Sequence, residues 1–176
     1  MPINSDIIKQ LKHACRDRCF TDKESLILYG YDATRISYQP DAVVFPLSAQ
    51  ETAEVLKIAN RHGIPVVPRG AGTGLSGGSV PVQGGIVLSV EKMNHILSIN
   101  KPDLTAEVEP GVVTGNLKKK AEELGLFYPP DPASSEFSSI GGNISENAGG
   151  LRAVKYGSTS NYVLGIEVVL PTGDIV

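Results

Sequence analysis

Between Arg69 and Ser79 the chain reads Arg-Gly-Ala-Gly-Thr-Gly-Leu-Ser-Gly-Gly-Ser, with five glycines. Residues without a Cβ alternate the sign of φ at little cost, which turns successive N–H groups to one side and makes a nest for an anion. Phosphate or diphosphate is the natural guest, because an N–H bond to a charged oxygen contributes about 1.5–3 kcal/mol once water is excluded. Thr73, Ser76 and Ser79 add hydroxyl donors. The ATPase loop is set aside, since it requires a Lys after its last Gly and no Lys occurs between Arg69 and Glu91. Gly72 to Gly77 matches G-x-G-x-x-G letter for letter, but that fingerprint opens a helix, and here Gly78, Pro81, Gly84 and Gly85 follow. The loop therefore grips its ligand with bare main chain between two strands, and the dinucleotide fold of the nicotinamide enzymes is disfavoured.

A second run, Ser138 to Gly150 (SSIGGNISENAGG), repeats the same physics: small residues allow close approach, and Asn143 and Asn147 supply amides. Two such walls suit an elongated ligand with a diphosphate against one and a ring system against the other, as in a flavin dinucleotide.

Taken together, YGYDAT (from Tyr29), PVVPRGAGTGLSGG, the EPGV of Glu109 to Val112, PPDPASS, SIGGNISENAGG and KYGSTSNYVLGIEVVLPTG carry a family likeness. In order, and over Tyr29 to Val176, the chain resembles the FAD-binding domain of the vanillyl-alcohol oxidase and p-cresol methylhydroxylase superfamily. Within it, the likeness is to the D-2-hydroxyacid dehydrogenase branch, with the FAD subunit of glycolate oxidase and the D-lactate dehydrogenases. The resemblance implies an α+β fold of p-cresol methylhydroxylase type, in two lobes with extended FAD between them.

By the same likeness, Arg69, Gly70, Ala71, Gly72, Thr73, Gly74 and Leu75 wrap the diphosphate through main-chain amides, with Gly78 and Ser79 alongside. Pro132, Ser135, Gly141, Gly142, Ser145 and Asn147 lie along the ribityl chain and flavin, and Ile166 and Val168 offer main chain to the adenine end. Covalent members place a His where this chain has Thr73, so FAD is expected to be held noncovalently. The implied reaction is oxidation of a D-2-hydroxy acid such as glycolate or D-lactate to the 2-oxo acid. Electrons pass on to a quinone, a cytochrome or a partner flavoprotein or iron–sulfur subunit. No catalytic residue is assignable. Arg35, Arg69, Arg152 and Lys155 are candidates for a substrate carboxylate by charge alone, and in the family the cap and its catalytic His lie further along the chain.

The elements that must hold these loops follow from spacing. Asn4 to Arg16 has Ile7, Ile8, Leu11 and Ala14 at helical intervals, and Lys23 to Leu28 reads as a second helix. Tyr31 to Gln39 reads as an irregular connection, and Ala42 to Phe45 as a buried strand. Ser48 and Glu51 form an S-x-x-E cap before a helix that Gly63 stops. Pro65 to Pro68 and Gly85 to Val90 read as strands flanking the glycine loop. Ile96 to Ile99 and Ala106 to Val108 pair across a turn at Lys101-Pro102-Asp103, and Thr114 to Leu124 is a helix with Lys118, Lys119 and Lys120 on a solvated face. Prolines 129, 130 and 132 keep Phe127 to Ser139 a loop. Tyr162 to Leu170 reads as a strong strand before a turn at Pro171-Thr172-Gly173. The expected organisation is a helical segment over 1–37 and the FAD-binding domain over 38–176. With a returning strand of only three residues after that turn, the chain is expected to be the N-terminal fragment of a longer protein, inactive by itself.

Composition narrows the classes. The 176 residues carry 16 Lys+Arg against 19 Asp+Glu, a formal net charge of -3, which gives no broad basic face for nucleic acid. No apolar run approaches the roughly 20 residues of a membrane-spanning helix, and the N-terminus lacks the apolar core of a secretion signal, so a cytoplasmic address is expected. Cys15 and Cys19, four apart in a helix or at its end, read as two reduced thiols on one face, and the three histidines show no metal spacing. A homo-oligomer is compatible with this reading. A nucleotide-binding or assembly module without redox chemistry is the competing class, and another oxidoreductase of the same superfamily is the competing relative.

Overall fold

A computed structural model describes residues 3–176. The chain divides into two compact units: the N-terminal residues up to Lys92 together with Glu167–Val176, and Met93–Ile166. Each combines helices with its own sheet, the α+β class expected.

In the first unit, helix α1 (Ser5–Cys15) starts where the Asn4 carboxamide oxygen accepts from the N–H groups of Asp6 and Ile7 at 3.1 and 2.9 Å, and it buries Ile7, Leu11 and Cys15. It ends at Arg16, with φ 53. Strand β1 (Cys19–Phe20) and helix α2 (Lys23–Leu28) follow, then β2 (Ala42–Val44), α3 (Ala49–His62), β3 (Val66–Arg69) and β4 (Ile86–Ser89). The sheet order is β1-β2-β4-β3, with β2 and β3 both parallel to β4 and β1 antiparallel to β2. Being central, β4 is buried on both faces, which its Ile-Val-Leu-Ser composition permits. Alternation splits the core: Ala42, Val44, Ile86 and Leu88 meet α1 and α3, while Val43 and Val87 meet Leu26 and Phe45.

Helix α3 is capped as its sequence demands, Ser48 Oγ accepting from Glu51 N–H at 3.2 Å. The Glu51 carboxylate does not close the reciprocal box. Oε2 accepts from Leu47 N–H at 2.8 Å, and both oxygens take Arg18 Nη2 at 2.8 Å, which fixes β1's approach to α3. At the mouth of β4, Gly85 has φ 78, and a Cβ there would overlap the Pro65 carbonyl; its N–H donates to Asp41 Oδ2 at 2.8 Å.

The apolar run Tyr162 to Leu170 is not a strand of a sheet. Among the described residues its one bridge is Val169 with Ile175, in a hairpin where Val168 and Val176 exchange both main-chain bonds at 2.8 and 2.9 Å. Apolarity alone does not make a strand without a ladder partner. The turn residue Gly173 (φ 84) packs onto α3, where a Cβ would lie 2.9 Å from the Ala53 carbonyl oxygen. The cysteines are also placed differently from expectation. Cys15 closes α1 and Cys19 lies in β1, both buried and reduced, so they share no helix face.

The second unit pairs β5 (Ile96–Asn100) and β6 (Thr105–Val108) antiparallel across the Lys101-Pro102-Asp103 turn. Against them pack α4 (Thr114–Glu123) and the short α5 (Ile140–Ser145), around Val112, Leu117 and Ile140. A four-residue helix α6 (Ala153–Tyr156) and a 3-10 turn at Thr159–Tyr162 complete it. No side chain caps α4; instead the loop supplies carbonyls, Ser138 O to Thr114 N–H and Ser135 O to Gly115 N–H, both at 2.8 Å. Lys118 departs from the solvated face expected of it: with a side chain only 17% exposed, it is paired to Asp131.

Candidate functional site

The first wall begins where β3 delivers Arg69 to the sheet's end, held there by Val90 N–H to Arg69 O at 2.9 Å. From Gly70 to Gly85 no helix forms, as the prolines and glycines require. Gly72 and Gly77 take left-handed φ values of 68 and 80. Among the described residues, none of the N–H groups of Ala71, Gly72, Thr73, Gly74 and Leu75 donates to a main-chain oxygen. A row of unspent N–H groups is what an anion requires. Space fits as well: a Cβ at Gly74 would meet nothing within 4 Å, and Leu75 is 79% exposed. The loop thus fits a diphosphate, with Gly78 exposed and Ser79 half-buried beside it.

Arg69 itself is 8% exposed, its side chain turned inward. Nη1 donates to Tyr31 O at 2.6 Å, and the guanidinium stacks 5.4 Å from the centre of the Tyr29 ring. It fills the space where a Gly72 side chain would stand, Cζ lying 2.6 Å from the Cβ position. Burial lowers its pKa, opposed by Tyr29, Asp32, Tyr31 and Glu91, but a guanidinium stays charged regardless. None of the ion pairs among the described residues involves it.

The segment around Tyr31, which spacing alone rendered as an irregular connection, forms the loop's support. Ala33 N–H donates to Gly72 O at 3.1 Å, and the buried Asp32 accepts from Thr34 N–H at 2.9 Å, Thr34 Oγ1 at 2.5 Å and Ser79 Oγ at 3.5 Å. Tyr29 Oη donates to Glu91 Oε1 at 2.7 Å, and burial, then that carboxylate, push the phenol's pKa well up. The YGYDAT string was the one signal for these residues, and it carried no spacing argument.

The second wall is built differently. Thr114 Oγ1 lies at its centre: it donates to Ser138 O at 2.9 Å, lies 2.9 Å from Ser138 Oγ, and accepts from Asn143 Nδ2 at 2.7 Å, all buried. Most polar groups of the run are spent on this scaffold. Gly141 N–H goes to Pro110 O at 2.8 Å, Gly142 N–H to Ser139 Oγ at 3.2 Å and Ser145 Oγ to Gly141 O at 2.9 Å. Asn143 is buried scaffold; Asn147, exposed and at φ 49, accepts from Ser160 N–H at 3.0 Å through Oδ1.

Pro132 and Ser135 sit in the loop whose Asp131 N–H bonds Gly149 O at 3.2 Å, so 131–135 and 141–150 are brought together. Asp131 also takes Lys118 and, at 3.3 Å, Arg152 Nε; its pKa is lowered, chiefly by the Lys118 hydrogen bond. Among the carboxylate-binding candidates, Arg152 is therefore paired and stacked on Phe127, Lys155 lies over Tyr156, and Arg35 is exposed. Ile166 is 58% exposed, and the main chain of Val168 is committed to the hairpin with Val176.

No group of histidine, cysteine or carboxylate side chains that could hold a metal occurs among the described residues, nor any helix long and apolar enough to cross a membrane.

The family of the FAD binding domain matches residues 40–176. The chain is 48% identical over 176 residues to the glycolate oxidase subunit GlcD of Bacillus subtilis (strain 168), covering 99% of this chain and 37% of that protein. It is 41% identical to the D-lactate dehydrogenase of Anaerostipes hadrus, with the same coverages. A crystal structure of p-cresol methylhydroxylase with substrate bound superposes with a TM-score of 0.83 at 28% identity, over 97% of this chain and 34% of that one. The chain thus spans a little over a third of the length of these proteins.

Proposed function

This chain belongs to the FAD binding domain family, and from that premise we propose that it supplies the FAD-holding part of a flavin-linked oxidoreductase for a D-2-hydroxy acid of the glycolate or D-lactate class. The observation that carries the reading is the row of unspent N–H groups from Ala71 to Leu75. These donors, with Arg69 and Gly70 leading in and Gly78 and Ser79 following, hold the diphosphate. Pro132, Ser135, Gly141, Gly142, Ser145 and Asn147 take the ribityl and flavin side, and Ile166 the adenine end, where the main chain of Val168 is already committed to Val176. FAD, when bound, accepts the two electrons of the hydroxy acid's oxidation. The chain's own share is to bind and orient it; small residues keep side chains from the ring system, and the preformed loop needs no rearrangement to receive charge.

Substrate choice draws its support from the names of the two enzymes above, glycolate oxidase and D-lactate dehydrogenase. Thr73 has no ring nitrogen to bond a flavin, so the cofactor is noncovalent. Its electrons leave to a quinone, cytochrome or partner redox protein. The whole protein carrying this chain is expected to be yellow, to release all its flavin on acid precipitation, and to bleach under D-lactate or glycolate without oxygen. Flavin left in the precipitate refutes the noncovalent assignment; a whole protein that takes up no FAD on titration refutes the function. The 176 residues alone are expected to hold FAD weakly and to oxidise neither acid.

A further inference from the structure

Arg69 presents a problem that the loop's main chain does not solve. A cation 92% removed from solvent, with no carboxylate at ion-pair distance among the described residues, is kept at a desolvation cost. Among the described residues, its one hydrogen bond goes to a neutral carbonyl, Tyr31 O, and its one stacking partner is the Tyr29 ring. It is also the only cation between Arg69 and Val90, and it abuts Gly72 in the middle of the anion-binding loop. Asp32 and Glu91 favour the charge from a distance, but neither pairs with it, which leaves the guanidinium free to serve an anion in the loop.

We propose that the Arg69 guanidinium is the fixed counter-charge of the diphosphate, a positioning residue acting through the Gly72 main chain, and that Tyr29–Thr34, which precedes the family match at 40–176, belongs to the cofactor site as the mount for that charge. The inference rests on the FAD reading above and adds to it a role for a side chain where the reading needs only main chain. Three contacts make the mount: the Tyr29 face, the Tyr31 carbonyl, and Ala33 N–H to Gly72 O. Glu91 orients the Tyr29 ring through its hydroxyl. Asp32 sits in the same buried shell, close enough to influence Arg69 without pairing to it, so its carboxylate opposes the bound diphosphate.

That opposition separates an electrostatic role from a scaffolding one. If the network merely holds the loop's shape, removing any member weakens FAD. If Arg69 works by charge, Arg69→Met and Asp32→Asn act in opposite directions. The experiment measures FAD affinity of the whole protein by flavin fluorescence at low and high salt. A buried charge is screened little by salt, so the contribution of Arg69 persists at high salt. Arg69→Met is expected to bind about tenfold more weakly at both salt concentrations. Arg69→Lys keeps most of the wild-type affinity, and Asp32→Asn tightens FAD severalfold. Equal affinity of wild type and Arg69→Met overturns the proposal, as does weakening by Asp32→Asn. Should Arg69→Met fail to fold, Asp32→Asn and Arg69→Lys still decide by direction. A wild type without FAD affinity overturns the function and this inference together; a wild type that binds while the variants behave as scaffold overturns the inference alone.

Discussion

Substituting Gly72 by Ala strikes the loop at its tightest point. At φ 68 a side chain costs about 1–2 kcal/mol in backbone strain. Its Cβ would also stand inside the Arg69 guanidinium, whose displacement is expected to break the 2.6 Å bond to Tyr31 O, a charge-assisted bond worth about 1.5–3 kcal/mol. The two together come to about 2.5–5 kcal/mol, which is on the order of a hundredfold to a few thousandfold in affinity. The assay is FAD titration of the whole protein alongside urea unfolding, the cost being read as the sum of the changes in binding and unfolding free energy. A double-mutant cycle sharpens it. In an Arg69→Ala background the overlap is gone, so Gly72→Ala retains only the strain of about 1–2 kcal/mol. Additivity of the two substitutions within about 0.5 kcal/mol would refute the argument, because the larger half of the cost would then have nothing to do with Arg69.

Thr114→Val leaves Asn143 Nδ2 buried without its acceptor and removes a donor from Ser138 O, which is expected to cost about 2–4 kcal/mol in urea unfolding; a loss below about 0.5 kcal/mol counts against the buried triad as scaffold. Gly85→Ala combines φ 78 with overlap of the Pro65 carbonyl, which is main chain and does not yield, so soluble expression is expected to fail or thermal stability to fall by more than about 3 kcal/mol. Asp131 has its folded pKa lowered by Lys118 and Arg152, so its contribution to stability is present above the unfolded value near 3.9 and is lost as pH falls through the lower folded value. Lys118→Met is expected to reduce that acid-limb loss, and an unchanged pH profile of unfolding would contradict it. Thiol reagents are expected to leave Cys15 unmodified in the folded protein, since burial, with Glu51 nearby, pushes its pKa up to about 12; stoichiometric labelling at pH 8 without urea tells against that burial.

Local rules carried much of the architecture. Asn4, Ser48 and Gly63 bounded their helices because caps act within three or four residues, and prolines and glycines excluded a helix after Gly72 for the same reason. The strands flanking the glycine loop were legible as short apolar runs. Where partnership is long-range, the sequence was silent or misleading. Ile166 to Leu170 has a strand's composition, but among the described residues its main-chain partners are those of its own hairpin, Gly173 to Val176. Lys118 looked like its two lysine neighbours, and only the fold brings Asp131 to it. Arg69 read as the lip of an anion loop, while its side chain lies inside, because Tyr29 and Tyr31 reach it from 38 to 40 positions earlier in the chain. In the second run, the amides and hydroxyls looked like ligands, yet the buried Thr114 uses Asn143 and Ser138 as scaffold, a contact separated by more than twenty residues.

The hairpin that places Gly173 on α3 makes the first unit discontinuous, its last piece following the whole of Met93–Ile166. During synthesis, then, the surface around Ala53 and Lys57 emerges from the ribosome long before its covering strip does. At ordinary elongation speeds that interval is on the order of 6–25 s, ample time for the inserted unit to collapse on its own. Translation order thereby makes the inserted unit the earlier to finish, with the N-terminal unit completed only when the strip arrives.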